Sequence, residues 1–149
     1  MTPTEIQLAV REALAADKTL KAAGIAVLAM DDGNLVPAIG KAFALGGKGI
    51  VAIVSAPSFR PSPPATGLKN ASGKLALRVA ISESPALNRK RPGMMTGPDA
   101  AWHVAYVLNQ EHVGGRMLYL SGEIVPVIDQ DGATCVTSVP FECVNQLVG

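Results

Sequence analysis

Histidines and carboxylates are the side chains of this sequence whose chemistry could support a metal or catalytic site. His103 and His112 lie nine positions apart, and no Cys or carboxylate stands at metal-ligand spacing around them, so the sequence predicts no zinc site. Two carboxylate pairs occur on turn signals: Asp31 with Asp32, and Asp129 with Asp131. Turns favour aspartate for its local hydrogen bonds, so these pairs indicate solvated turns.

Three short motifs resemble functional signatures without the context that those signatures need. The stretch GKGIVA at 47–52 matches G-x-G-x-x-A, but its glycines precede a predicted strand, whereas a dinucleotide site needs them between a strand and a helix. The stretch IDQDG has Ala133 at the fifth calcium-loop position and no Glu at the twelfth. Ser121 has glycine on one side only, unlike a nucleophile elbow. We therefore predict that the protein is not an enzyme and holds no metal or cofactor.

A basic loop, NRKRPGMM at 88–95, is the remaining candidate functional feature. A charge run is often a solvated surface, and this interpretation stays open. Binding of nucleic acid is less favoured, because single-strand binders interleave aromatic rings with their cations and no aromatic residue lies near this cluster. Docking on protein is favoured by Met94 and Met95, since methionine adapts to contact surfaces, and by arginine, which pairs well with carboxylates.

Charge is distributed unevenly along a chain whose net charge is only +1. Residues 1–56 balance, residues 57–98 carry seven basic side chains against Glu83, and residues 99–149 carry Arg116 against six acids. Such an asymmetry can serve nucleic acid or a neighbouring copy of the chain. The prediction for a protein interface comprises nine residues: Arg60, Arg89, Lys90, Arg91, Met94, Met95, Glu123, Asp129 and Asp131.

Length and hydropathy patterning predict one α+β domain over residues 1–149. Thr2, Pro3 and Glu5 form a capping-box pattern before a helix over 3–16, and helical spacing recurs at 35–45 and 98–111, the latter with Trp102 on its inner face. Strands are predicted near 25–30, 49–56, 74–83, 117–128 and 134–144, the last two joined as a hairpin through QDGA. We expect a mainly antiparallel, mixed sheet with the helices at 3–16 and 98–111 packed on one face.

Residues 57–73 contain four prolines and two glycines without periodicity, which predicts an extended loop or arm. We expect proteases to cut it in the isolated protein and assembly to protect it. Cys135 and Cys143 lie eight residues apart in one predicted strand, too far apart for a bridge, so both should be buried thiols. A composition of 48% apolar, 17% charged and 4% aromatic residues suggests surface that other protein covers, as in an obligate oligomer.

The order of these elements resembles the small tail-completion proteins of tailed bacteriophages, and tail terminators above all. The passage ESPALNRKRPGMMTGPDAAWHVAYVLN carries the resemblance more closely: a strand ending in Glu-x-Pro-x-Leu-Asn-Arg leads through a Gly-Thr-type turn into an amphipathic helix. The resemblance implies a structural virion protein, made in the host cytoplasm, that forms a hexameric ring at the head-proximal end of the tail tube. Such a ring stops tube polymerisation and provides the head with a docking surface.

The partners implied by the resemblance are other copies of the chain, the tail tube protein and the head-tail connector, without membrane or specific nucleic acid. A head-side connector or stopper protein of the neck is the alternative within this class. From other classes, a small nucleic-acid-binding protein and an enzyme with an unrecognised site remain alternatives. Retention of DNA would favour the nucleic-acid-binding protein. A pocket that holds titratable groups with perturbed pKa values would favour the enzyme.

Overall fold

The computed structural model describes residues 2–30, 37, 40, 43, 48–62, 72–128 and 132–146. Helix α1 spans Pro3–Ala15, and its capping box forms as predicted: Glu5 N–H donates to Thr2 Oγ1 at 3.2 Å, while Thr2 N–H donates to Glu5 Oε2 at 2.6 Å. Its buried stripe is Ile6, Val10 and Leu14. A short helix α2, Lys18–Ala22, follows with Asp17 as its N-cap.

Strand β4, Ser72–Glu83, is the centre of the sheet. It pairs antiparallel with β9, Cys135–Gln146, along its whole length. Its other edge pairs antiparallel with β2, Ile50–Val54, and with β3, Ser58–Pro61. Strand β1, Ala26–Ala29, extends the sheet beyond β2 in parallel. The fold is thus the mixed, mainly antiparallel α+β arrangement that the patterning predicts.

Alternation along β4 sets which face of the sheet is covered. Leu75, Leu77, Val79 and Ile81 are all buried, which confirms the predicted register. They share one core with α1 and with α4, Gly97–Leu108, which follows the short helix α3, Pro85–Asn88. Both main helices, α1 and α4, therefore pack on the same face as predicted. The opposite face of β4 presents Lys74 and Arg78 to solvent.

The outer edge of β9 carries two short strands where one strand over 117–128 was predicted. Strand β7, Tyr119–Leu120, pairs with β9 at Glu142 and Phe141, and β8, Val125–Ile128, pairs further along from Ser138 to Cys135. The antiparallel pairing of β8 with β9 confirms the predicted hairpin. Before them, β5, His112–Val113, and β6, Arg116–Met117, form a separate ribbon. Cys135 and Cys143 are buried free thiols on β9, also as predicted.

The predicted arm differs from the structure at both of its ends. Residues 58–61 form β3 and residues 72–73 begin β4, while 63–71 lie outside the described residues. The prolines do not prevent β3, because it is an edge strand with Pro61 at its end, and the half-buried Phe59 packs against the core. The predicted helix over 35–45 lies outside the described residues except for three positions.

Candidate functional site

The first two residues of the basic loop, Asn88 and Arg89, contact a buried carboxylate. Glu83, the last residue of β4, is fully buried. The Asn88 Nδ2 amide donates to Glu83 Oε2 at 2.6 Å, and Arg89 Nη2 lies 3.4 Å from Glu83 Oε1. The short helix α3, Pro85–Asn88, which the sequence does not predict, returns the chain so that both side chains reach the acid. A buried carboxylate is costly without such partners, so these contacts hold the start of the loop.

Arg91 connects the same loop to the turn between α2 and β1. Its Nη2 donates to Asn88 Oδ1 at 2.6 Å and to the Ala23 carbonyl at 3.0 Å. Gly24 adjoins this contact with a φ of +75°, and a Cβ on it would lie 2.9 Å from Arg91 Nη1. The guanidinium therefore lies against a left-handed turn, where a larger residue would crowd it.

Met95, at the end of the loop, is held as well. Asn88 Nδ2 also donates to the Met95 carbonyl at 2.7 Å, and the Met95 side chain packs against the core. Met94 is half-buried, whereas Lys90 is exposed. The sequence thus predicts the location of the charges, but the structure gives Arg89 and Arg91 partners within the chain. An interface role for these residues stays a prediction.

Arg60 and Glu123, two further predicted interface residues, line one groove on the open face of the sheet. The groove has a volume of about 680 Å³ and runs between β3 and the segment that joins β7 to β8. None of the basic-loop residues lines it. The structure therefore groups the predicted residues into at least two separate surfaces. Asp129 and Asp131, the remaining predicted residues, lie outside the described residues.

An ion pair and a side-chain hydrogen bond join β4 and β9. Lys74 Nζ lies 3.5 Å from Glu142 Oε2, and Arg78 Nη1 donates to Ser138 Oγ at 3.3 Å. Both side chains of the Lys74 pair are substantially exposed, and exposed pairs contribute little to stability. The Lys74–Glu142 and Arg78–Ser138 contacts give this part of the sheet a polar surface.

An exposed aromatic surface on α4 is the feature that the sequence analysis missed. Trp102 is 73% exposed and Tyr106 is 80% exposed, so the prediction that Trp102 faces inward is wrong. The inner stripe of α4 is formed by small and aliphatic side chains: Ala100, Ala101, Val104, Ala105 and Leu108. The signal was present in the helical period, because residues 102 and 106 are neighbours four positions apart and do not belong to that stripe.

This aromatic surface continues onto the β7 edge of the sheet. Trp102 and Tyr106 line a groove of about 530 Å³ together with Leu120 and Ile124. Strand β8 also exposes Val125, Val127 and Ile128, the last at 70%, and Val125 lines the separate groove on the open sheet face. Tryptophan and tyrosine dominate the binding energy of many interfaces, and contiguous apolar surface of this kind is typical of interaction sites. The arrangement can bury substantial area against another protein.

A histidine and an aspartate meet where α4 crosses α2. His103 Nε2 lies 2.8 Å from Asp17 Oδ2, and the same carboxylate accepts the Leu20 N–H at 2.9 Å. Desolvation raises the pKa of Asp17, but the hydrogen bonds from Leu20 and His103 outweigh it and leave that pKa below its usual value. The pair joins two helices through a helix cap.

Groups of three or more His, Cys, Asp or Glu side chains that could hold a metal ion do not occur among the described residues. In the same part of the chain, no helix combines the length and apolar character needed to cross a membrane.

Comparison with known proteins gives a likeness in fold alone. No family model matches the chain, and no curated protein matches it. Among solved structures, a chain of the virion of a native gene transfer agent particle is similar at 15% identity, with a TM-score of 0.64 over 94% of this chain and 93% of that one. The two chains share a fold. A second solved chain, also at 15% identity, has a TM-score of 0.49 over 96% of each chain, which is too low to support an argument.

Proposed function

We propose that the protein is a structural component of a phage or phage-like virion, and specifically the tail terminator. In this role it forms a ring, a hexamer, at the head-proximal end of the tail tube, where it stops tube polymerisation and provides the docking surface for the head connector. The observation that supports the proposal is the fold shared with a chain of the gene transfer agent virion over nearly the whole length of both chains.

The surfaces of the chain suit a protein with several protein partners. A terminator must contact a second copy on each side, the tube below and the connector above. The described residues present the aromatic surface of α4 and β7, the apolar strand β8 and the polar groove on the open sheet face. These surfaces differ in chemistry, so each can recognise a different neighbour.

Location and activity follow from the same proposal. The protein works in the virion, at the tail or neck, after synthesis in the host cytoplasm, and its partners are itself, the tube protein and the head-tail connector. No catalytic activity is assigned to it. The predicted interface residues, from Arg60 and the basic loop to Glu123, are proposed to contribute charge to these contacts, where charges set encounter rate and register more than affinity.

The test is assembly of the purified chain with the tail tube protein from the same genome. Tubes grown with increasing amounts of the chain should become shorter, and electron microscopy with an affinity label should place the chain at one tube end only. A control uses the chain after heat denaturation. Tubes of unchanged length with no end label would contradict the terminator role, and binding to the isolated connector without tube binding would indicate the neck stopper instead.

A further inference from the structure

Two exposed surfaces with opposite charge lie toward opposite ends of the sheet. The first is the aromatic surface, defined here as Trp102, Tyr106, Leu120 and Ile124. It lies beside β7, the last strand in the sheet order. The second lies where the chain enters β1 and β2, at the other end of that order. None of the basic-loop residues lines the groove of the aromatic surface.

The rim of the aromatic surface is acidic. Glu111 lines the groove directly and is exposed. Asp99 stands one helical turn before Trp102, on the same side of α4. An apolar centre with a charged rim is the usual anatomy of a specific protein interface.

The second surface has a basic rim around an exposed leucine. We call it the basic surface and define it by six residues: Lys21, Lys48, Leu87, Arg89, Lys90 and Arg91. Contacts around two glycines place three of its members, Lys48, Leu87 and Arg91, close together. A Cβ on Gly24 would lie 2.9 Å from Arg91 Nη1 and 3.4 Å from Lys48 Cδ, and a Cβ on Gly49 would lie 2.7 Å from Leu87 Cβ. Leu87 is 44% exposed.

Glu83 lies beneath the basic surface and offsets one of its five cations, Arg89. Glu83 is fully buried and already compensated by Asn88 and Arg89. Lys48 and Lys90 remain exposed. The basic surface therefore complements the aromatic surface in both respects, with a leucine for the apolar groove and cations for its acidic rim.

We infer that the aromatic surface of one copy binds the basic surface of a second copy of this chain, with Leu87 entering the groove between Trp102 and Leu120. The inference rests on the proposed ring and deepens it. Contact between two different patches of one subunit is head-to-tail, and it closes into a ring when the rotation between copies is suitable. Trp102 and Tyr106 supply most of the affinity, because buried aromatic anchors dominate such contacts.

The test compares three variants by native mass spectrometry, after circular dichroism has shown that each is folded. Trp102→Glu damages the aromatic surface. The pair Leu87→Glu with Lys90→Glu damages the basic surface. Tyr119→Ala is the matched control, since Tyr119 is an exposed tyrosine on β7. It lies opposite Glu142 of β9, on the sheet face that does not carry the aromatic surface. We expect rings from wild type and control, and a loss of association of about thirty-fold or more in both damaged variants, as for interface hot spots.

Mixing decides whether the contact is head-to-tail. Equal amounts of the two damaged variants, one of them isotopically labelled, retain one intact aromatic surface and one intact basic surface per pair. They should form dimers that contain one copy of each and no larger ring. If both variants form rings alone, or if the mixture gives no mixed dimer, the inference is wrong while tube capping by wild type still supports the proposed function. A wild type that is monomeric and leaves tubes uncapped overturns both.

Discussion

The buried acid under the basic loop gives the sharpest prediction of stability. Replacing Asn88 with Ala removes three hydrogen bonds: to Glu83 Oε2, to the Met95 carbonyl and from Arg91 Nη2. Hydrogen bonds to charged groups contribute about 1.5–3 kcal/mol each to stability. Removing one partner of a buried ion pair lowers stability by about 3–5 kcal/mol, because the other charge is left uncompensated. Since Arg89 stays near Glu83 at 3.4 Å, we expect Asn88→Ala to lower the free energy of unfolding by about 3 kcal/mol.

The measurement is urea denaturation at one fixed protein concentration, because association of the native state would otherwise shift the midpoint. Lys90→Ala is the control, an exposed neighbour in the same loop, and it should change stability by about 0.5 kcal/mol or less. If the cost arises from an uncompensated charge, Glu83→Gln in the Asn88→Ala background should recover about 1 kcal/mol or more. A loss below about 1 kcal/mol for Asn88→Ala, or no recovery in the double variant, would refute the reasoning.

Two further predictions concern the turn before β2 and the helix crossing. Gly49→Ala should destabilise the fold more than Gly93→Ala: both glycines have positive φ, but a Cβ on Gly49 would also lie 2.8 Å from a backbone nitrogen, whereas Gly93 has open space around it. Equal melting temperatures of the two variants would contradict this. Asp17→Asn keeps a capping side chain but removes the carboxylate. Because the folded-state pKa of Asp17 is lowered, its ionisation stabilises the native state above the unfolded value of about 3.9 and loses this effect as pH falls through the folded value. The stability difference between wild type and Asp17→Asn should therefore shrink below about pH 4, and a difference that stays unchanged from pH 5 down to pH 2 would contradict it.

Elements that depend only on residues close together in the chain could be predicted from the sequence. The capping box at Thr2 needs only residues within one turn, and the alternation from Leu75 to Ile81 needs only the period of a strand, so both are found where predicted. The β8–β9 hairpin follows from a turn signal between adjacent segments. Since these elements supply most of the core, the α+β class could be predicted from the sequence.

Tertiary structure decided where the side chains of the candidate site go. Arg91 contacts Ala23, 68 positions earlier, and a run of charges cannot show which of its members will meet a buried acid. The strand β3 forms because β4 offers an edge and the core accepts Phe59, which outweighs local proline content. Trp102 lies outside because α4 covers the sheet with small residues. In each of these cases the deciding partner is distant along the chain, and folding alone brings it near.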